Sequence, residues 1–277
     1  MKSRVTTAFV LLTFFGLGGT ITHAQSEKIK SARDAVIETL SQIQSLKDDI
    51  LLPTPEKIFK EQTLKRTAFG NILILSIIET EEMHDKLQGI VLEDSNAPLE
   101  PLREDLIERL ERHIKYLNAL QDLLETTETY DAVQNLIDQF EAKRKEAHNP
   151  DVKRAAELLL TLQVDSAIDR GYERLDKLTT LVKKAKATKT ELAARLSLIS
   201  LASAHLAEAK HSALLAHEEL AKYLAQKTPA IEQAITEVLP PKSIVFSIQD
   251  FNEQAITSTK DAYKNFLELS DGLAKKK

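Results

Sequence analysis

The sequence predicts an all-α fold: an elongated antiparallel bundle of about six to seven amphipathic helices, several of them long, with coiled-coil-like packing. Three observations predict it. The first is composition. The chain has 277 residues, 29% charged and 5% aromatic, with no Cys or Trp and 7 Gly. Three of those glycines, Gly16, Gly18 and Gly19, lie near the start. An α/β enzyme of this size needs glycines in its turns and phosphate loops, so that class is disfavoured.

The second observation is residues 188–226, which contain no Gly and no Pro. Leu192, Ile199, Leu206, Ala213 and Leu220 recur every seventh residue, and Ala202, Ala209, Ala216 and Tyr223 run beside them. A large-residue row next to an alanine row lets a partner helix approach closely. Thr188 with Glu191 forms a capping box at its start. The third observation is punctuation. Thr54-Pro55, Asn149-Pro150 and Thr228-Pro229 each offer an N-cap followed by a proline at the first helical position.

Taken in order, residues 1–24 have the pattern of a signal peptide. Lys2 and Arg4 precede the apolar 8–17, and Thr22-His23-Ala24 sets small residues at −3 and −1 of a cleavage site; the alternative is an uncleaved anchor, for which the apolar 5–21 is only marginally long enough. The expected mature chain, 25–277, is then a helical bundle that is exported: periplasmic, on the cell surface or secreted. No later run is long enough to cross a bilayer, so no transmembrane segment is expected after signal removal. Losing Lys2 and Arg4 from the 37 basic residues, against 42 acidic ones, takes the net charge from −5 to −7. Nucleic acid is therefore not an expected partner.

A first helix over 26–51 carries Ile29, Ala32, Val36, Leu40, Ile43 and Ile50 and ends at Pro53. The second runs from Pro55 to about Glu93 with Ala68, Ile72, Leu75, Met83, Leu87 and Ile90 on one stripe, and its middle, 71–78, is apolar nearly all round. A turn at 94–98 leads to a third helix with Leu102, Leu106, Leu110, Ile114, Leu117, Leu120 and Leu124. The next stripe, Tyr130, Val133, Ile137 and Phe140, lies roughly 170° away from that one on a continuous helix. Both faces cannot reach one core, so a turn or sharp kink is expected at 125–129 and a fourth helix up to His148.

The fifth helix, from Pro150 to about Lys186, carries Leu160, Val164, Ile168, Leu175, Leu178 and Val182, with Gly171 at either a close approach or a bend. After the long sixth helix come a short one over 228–239 and a stiff break at Pro240-Pro241. The segment after that break could stand as a C-terminal helical appendage. Ser247 with Asp250 resembles its capping box. Ile248, Phe251, Ala255, Ala262, Phe266, Leu269 and Leu273 are its stripe, and 243–246 is the one candidate strand.

Chemical motifs are sparse. Two Glu-x-x-His pairs, Glu81 with His84 and Glu208 with His211, could belong to a di-metal four-helix site if both faced inward. Helical geometry instead turns both about 120–200° from their own apolar stripes. His205, His211 and His217 spread evenly around their helix and cannot share one ion. His217-Glu218 opens a zinc-protease pattern, but Ala221 stands where the second ligand belongs. No thiol, nucleophile elbow or phosphate loop is present. Glu79 sits within about 20° of an apolar stripe, where it either reaches solvent at the edge or has a raised pKa or a cationic partner. No catalytic, cofactor or metal residue is assigned and no cofactor is expected. The expected function is non-enzymatic: a structural or protein-interaction role, its protein partner unidentified and self-association included. The alternatives are a ligand- or metal-binding helical module, or a membrane-active protein releasing an apolar hairpin around 71–78.

Overall fold

The computed structural model describes residues 23–48, 54–92, 94–185, 187–227 and 242–274. They form an all-α helical bundle: α1 (His23–Asp48), α2 (Pro55–Gly89), a 3-10 turn (Asp94–Leu99), α3 (Glu100–Thr126), α4 (Tyr130–Lys143), a π-helical turn (Arg144–His148), α5 (Asn149–Lys184), α6 (Lys189–Lys227) and α7 (Lys242–Ala274). There is no strand among the described residues. The signal-peptide reading lies outside them, apart from His23 and Ala24, which open α1. The short helix over 228–239 and the Pro240-Pro241 break also lie outside. The described residues fall into two units, one within Met1–Glu82 and Arg112–Arg144, the other within Met83–Glu111 and Lys145–Lys277.

In the first unit Phe69, Leu73 and Ile77 of α2 pack on Leu117, Leu120 and Leu124 of α3 and on Val133, Leu136 and Phe140 of α4. Phe69 and Phe140 meet edge to face at 5.6 Å. Thr54 starts α2 as expected, its hydroxyl accepting from the Lys57 amide at 3.2 Å. The apolar middle of α2 is less enclosed than its sequence suggests, because Ile74 is exposed.

The expected break after α3 is there, although no Gly or Pro marks it. Thr129 has extended backbone and its hydroxyl caps α4 at the Ala132 amide. Arg66 supplies the other half. Its guanidinium donates to the carbonyls of Leu124 and Thr127, both at 2.6 Å. Those are carbonyls that a helix end leaves without partners, and a cation is favoured there.

The expected start at Asn149-Pro150 is corrected. His148 has right-handed helical backbone and makes no side-chain cap. The chain instead passes from α4 into α5 through the π-helical turn, and Pro150 follows it at the start of α5.

In the second unit α5, α6 and α7 form the core. Leu178 and Val182 pack with Ala202 and Leu206 and with Ala262, Phe266 and Leu269. Further along, Val164 and Ile168 meet Ala209, Ala213 and Ala255. That order makes α6 antiparallel to both neighbours. The alanine row is the packing seam expected of it, since Ala202, Ala209 and Ala216 are fully buried. Both bonds of the Thr188–Glu191 capping box form, at 3.1 and 3.3 Å. Gly171 is a close approach: a Cβ there would lie 2.6 Å from a methyl of Leu206. The α7 segment packs into this core, and it begins before the expected cap. Ser247 and the candidate strand 243–246 both lie inside the helix.

Candidate functional site

The Glu-x-x-His pairs do not build a metal site. Glu81, Glu208 and His211 are exposed. His84 departs from the outward direction expected of it: its side chain is only 14% exposed, with Nδ1 3.1 Å from Asp85 and Nε2 3.5 Å from Glu111. His205 lies 3.9 Å from Glu208. His217 turns to α5 instead, Nε2 to Asp165 Oδ2 at 2.7 Å. Among the described residues no three His, Cys, Asp or Glu side chains converge where a metal ion could be held. No helix among them is long and apolar enough to cross a membrane.

Polar chemistry gathers instead in two interior clusters. In the first unit Glu79 lies 3.9 Å from Arg33, its side chain 18% exposed. Burial pushes its carboxyl above the usual range, while Arg144 and Arg33 hold it back. Of the readings of Glu79, a raised carboxyl beside a cationic partner is what forms. Burial in turn lowers the Arg144 guanidinium, which stacks 5.5 Å from the Phe140 ring.

The second cluster joins α5 to α7. Thr161 donates to the Glu157 carbonyl at 2.9 Å and accepts from Asn252 Nδ2 at 3.0 Å. Glu157 is buried and Asn252 fully so, yet Glu157 Oε1 and Asn252 Oδ1 are buried acceptors without a hydrogen-bond partner. Burial pushes the Glu157 carboxyl from 4.5 to about 7, against the pull of Lys153 and Arg154. Glu157 has a signal in the sequence, since it stands seven residues before Val164 on the α5 stripe. Nearby, Asp151 is buried against Arg109 at 3.4 Å and Arg154 at 3.3 Å.

The surface of the second unit carries one further feature. On the side of α6 turned away from its alanine seam, Ala193, Leu196, Ser197, Ser200, Ala204, Ala207, His211, Leu214 and Glu218 are all exposed. Leu196 is 43% and Leu214 54% exposed; Leu201 is exposed too, but about 140° around the helix from both. Lys210 does not polarise this face, because it folds back over the Tyr172 ring of α5 at 6.0 Å. Spacings of three and four residues put the set on one helical stripe.

Comparison with family models, curated proteins and solved structures finds no match.

Proposed function

We propose that this is a non-catalytic, exported helical-bundle protein whose role is structural or one of protein interaction, in the cell envelope or outside the cell. The observation that carries the interaction role is the outward stripe of α6, with Leu196 and Leu214 in solvent and small residues between them. Between the two leucines this side carries small or uncharged residues rather than the charge that ordinarily faces solvent opposite a core. Export rests on the basic, apolar and small-residue order of 1–24.

The test is a capture experiment from extracts of the source cell's envelope with the protein and its Leu196→Glu plus Leu214→Glu variant. Both positions are exposed, so the variant keeps its unfolding midpoint. It should lose whatever the parent retains; identical captures would sink the reading. A second reading, a core that holds a small ligand, is favoured by the unpartnered Glu157 and Asn252 oxygens. Native mass spectrometry of protein isolated from its source distinguishes it.

A further inference from the structure

We propose that one end of the second unit, where α5 stops, α6 starts and α7 stops, docks on an anionic lipid surface through Lys183, Lys184 and Lys189, with Leu181 set among them. The proposal goes beyond the α6 stripe and does not depend on it.

Three element ends meet there. Lys183 and Lys184 close α5, and Lys189 opens α6. Arg195 of α6 donates to the Gly272 carbonyl at 3.1 Å, which ties the end of α7 to the start of α6. In the sequence Lys275, Lys276 and Lys277 follow directly on α7.

The chain as a whole is acidic, with net charge −5. Elsewhere in this unit Lys177, Lys222 and Lys264 are each neutralised within one helical turn, by Glu173, Glu219 and Asp261. Lys183, Lys184 and Lys189 are exposed, and among the described residues none of the three forms an ion pair. Glu191, the acidic residue in the first turn of α6, is taken by the Thr188 amide. Helix fields account for two of these lysines and not for the third. The end of α5 favours cations, which suits Lys183 and Lys184; the start of α6 repels one, and Lys189 is its first residue. An anion from outside the chain offsets that repulsion.

The kinds of side chain present choose the occupant. Protein interfaces are rich in Arg and aromatic residues and poor in Lys. Here the free charges are lysines, and Arg195 is buried on the Gly272 carbonyl. A soluble polyanion offers nothing to Leu181, which is 54% exposed and shares one stripe of α5 with Lys177 and Lys184. A lipid surface answers both observations. Its headgroups meet long cationic side chains without needing them fixed, and the leucine enters the boundary beneath the headgroups. This end lies on the bilayer, since no described helix is long and apolar enough to cross one. Each lysine close to an anionic membrane contributes about fivefold in affinity, so three contribute on the order of a hundredfold.

The full chain is expressed, purified as the cell processes it, and cosedimented with vesicles of phosphatidylcholine alone or mixed equally with phosphatidylglycerol. Binding should be stronger to the mixed vesicles and fall as salt rises. Lys183→Gln plus Lys184→Gln plus Lys189→Gln should weaken it about a hundredfold. Lys222→Gln plus Lys260→Gln plus Lys264→Gln makes the same change in net charge away from this end and should weaken it less than about fivefold. Leu181→Gln should weaken it about fivefold. All seven positions are exposed, so each variant should keep the parent's unfolding midpoint. Equal binding to the two kinds of vesicle, or equal losses in the two triple variants, overturns the proposal. So does a Leu181→Gln variant that binds as the parent does while heparin competes at the vesicles' strength, which makes the partner a soluble polyanion.

Discussion

Helices α3 and α6 spend their apolar residues in opposite ways. In α3 the buried positions are Leu102, Leu106, Leu110, His113, Leu117, Leu120 and Leu124, a single stripe at three- and four-residue spacing. The rest of that helix is mostly charged, with Leu123 an exception. In α6 the seam formed by Ala202, Leu206, Ala209, Ala213, Ala216 and Leu220 is buried just as well, yet Leu196, Leu201 and Leu214 stand in solvent on other sides. Polarity opposite the core tells a helix that nothing else is to cover it. The outward side of α3 carries that message in many charges; the outward stripe of α6 carries two serines, a histidine and Glu218 among alanines and leucines.

The largest expected contrast lies between buried and exposed leucines. Leu110→Ala in α3 and Leu206→Ala in α6 both remove fully buried side chains and should each cost about 2–5 kcal/mol in urea unfolding. Leu214→Ala should change stability by less than about 0.5 kcal/mol. Equal costs at Leu206 and Leu214 in dilute protein would mean that both sides of α6 are core and that the contrast with α3 is false.

Next in size is the buried carboxyl of α5. Glu157 binds its proton more tightly folded than unfolded, so its contribution is fully present below pH 4.5 and is lost as pH rises toward about 7. Raising a carboxyl from 4.5 to about 7 corresponds to on the order of 3 kcal/mol. Glu157→Gln should flatten that fall and unfold at higher urea than the parent at pH 8. A variant whose stability follows the parent's at every pH would place the titration elsewhere.

Two overpacking substitutions probe the seam. Gly171→Ala drives a methyl into Leu206, and Ala209→Leu fills the fully buried alanine row; each should lower stability by about 1–3 kcal/mol. Lys210→Leu, one residue further but exposed, should cost less. A neutral Ala209→Leu would show that α6 has been assigned the wrong buried side. The smallest expected effect has the opposite sign. At Gly70 a Cβ would meet only a methyl of Leu124 at 3.6 Å, so Gly70→Ala should stabilise by up to about 1 kcal/mol, read as a raised thermal midpoint.

Much of this was legible in residue spacing. Change of face alone located the break before α4, because Leu124 and Val133 cannot share one side of a straight helix. The Thr54 cap and the Thr188–Glu191 box are local, so four residues sufficed to read them. His113 was harder. Its neighbour Ile114 looks like the core residue by chemistry, but the spacing from Leu110 to Leu117 is served equally by a residue three or four on, and packing buries His113. Asn149-Pro150 misled because a proline in the first turn of an α-helix looks the same in sequence whether a side-chain cap or, as here, a π-helical turn precedes it.

By itself, then, the chain determined helix content, most helix ends and the alanine seam, since these depend on period, caps and side-chain size within a few residues. Only tertiary structure decided which polar groups go inside and what they meet. Arg66 reaching the end of α3, Glu79 facing Arg33 across α1 and α2, and Asn252 bonded to Thr161 each join residues tens of positions apart. It also decided that one side of α6 is left uncovered. Whether an apolar face is buried depends on how many neighbours the fold supplies, and no window along one helix contains that number.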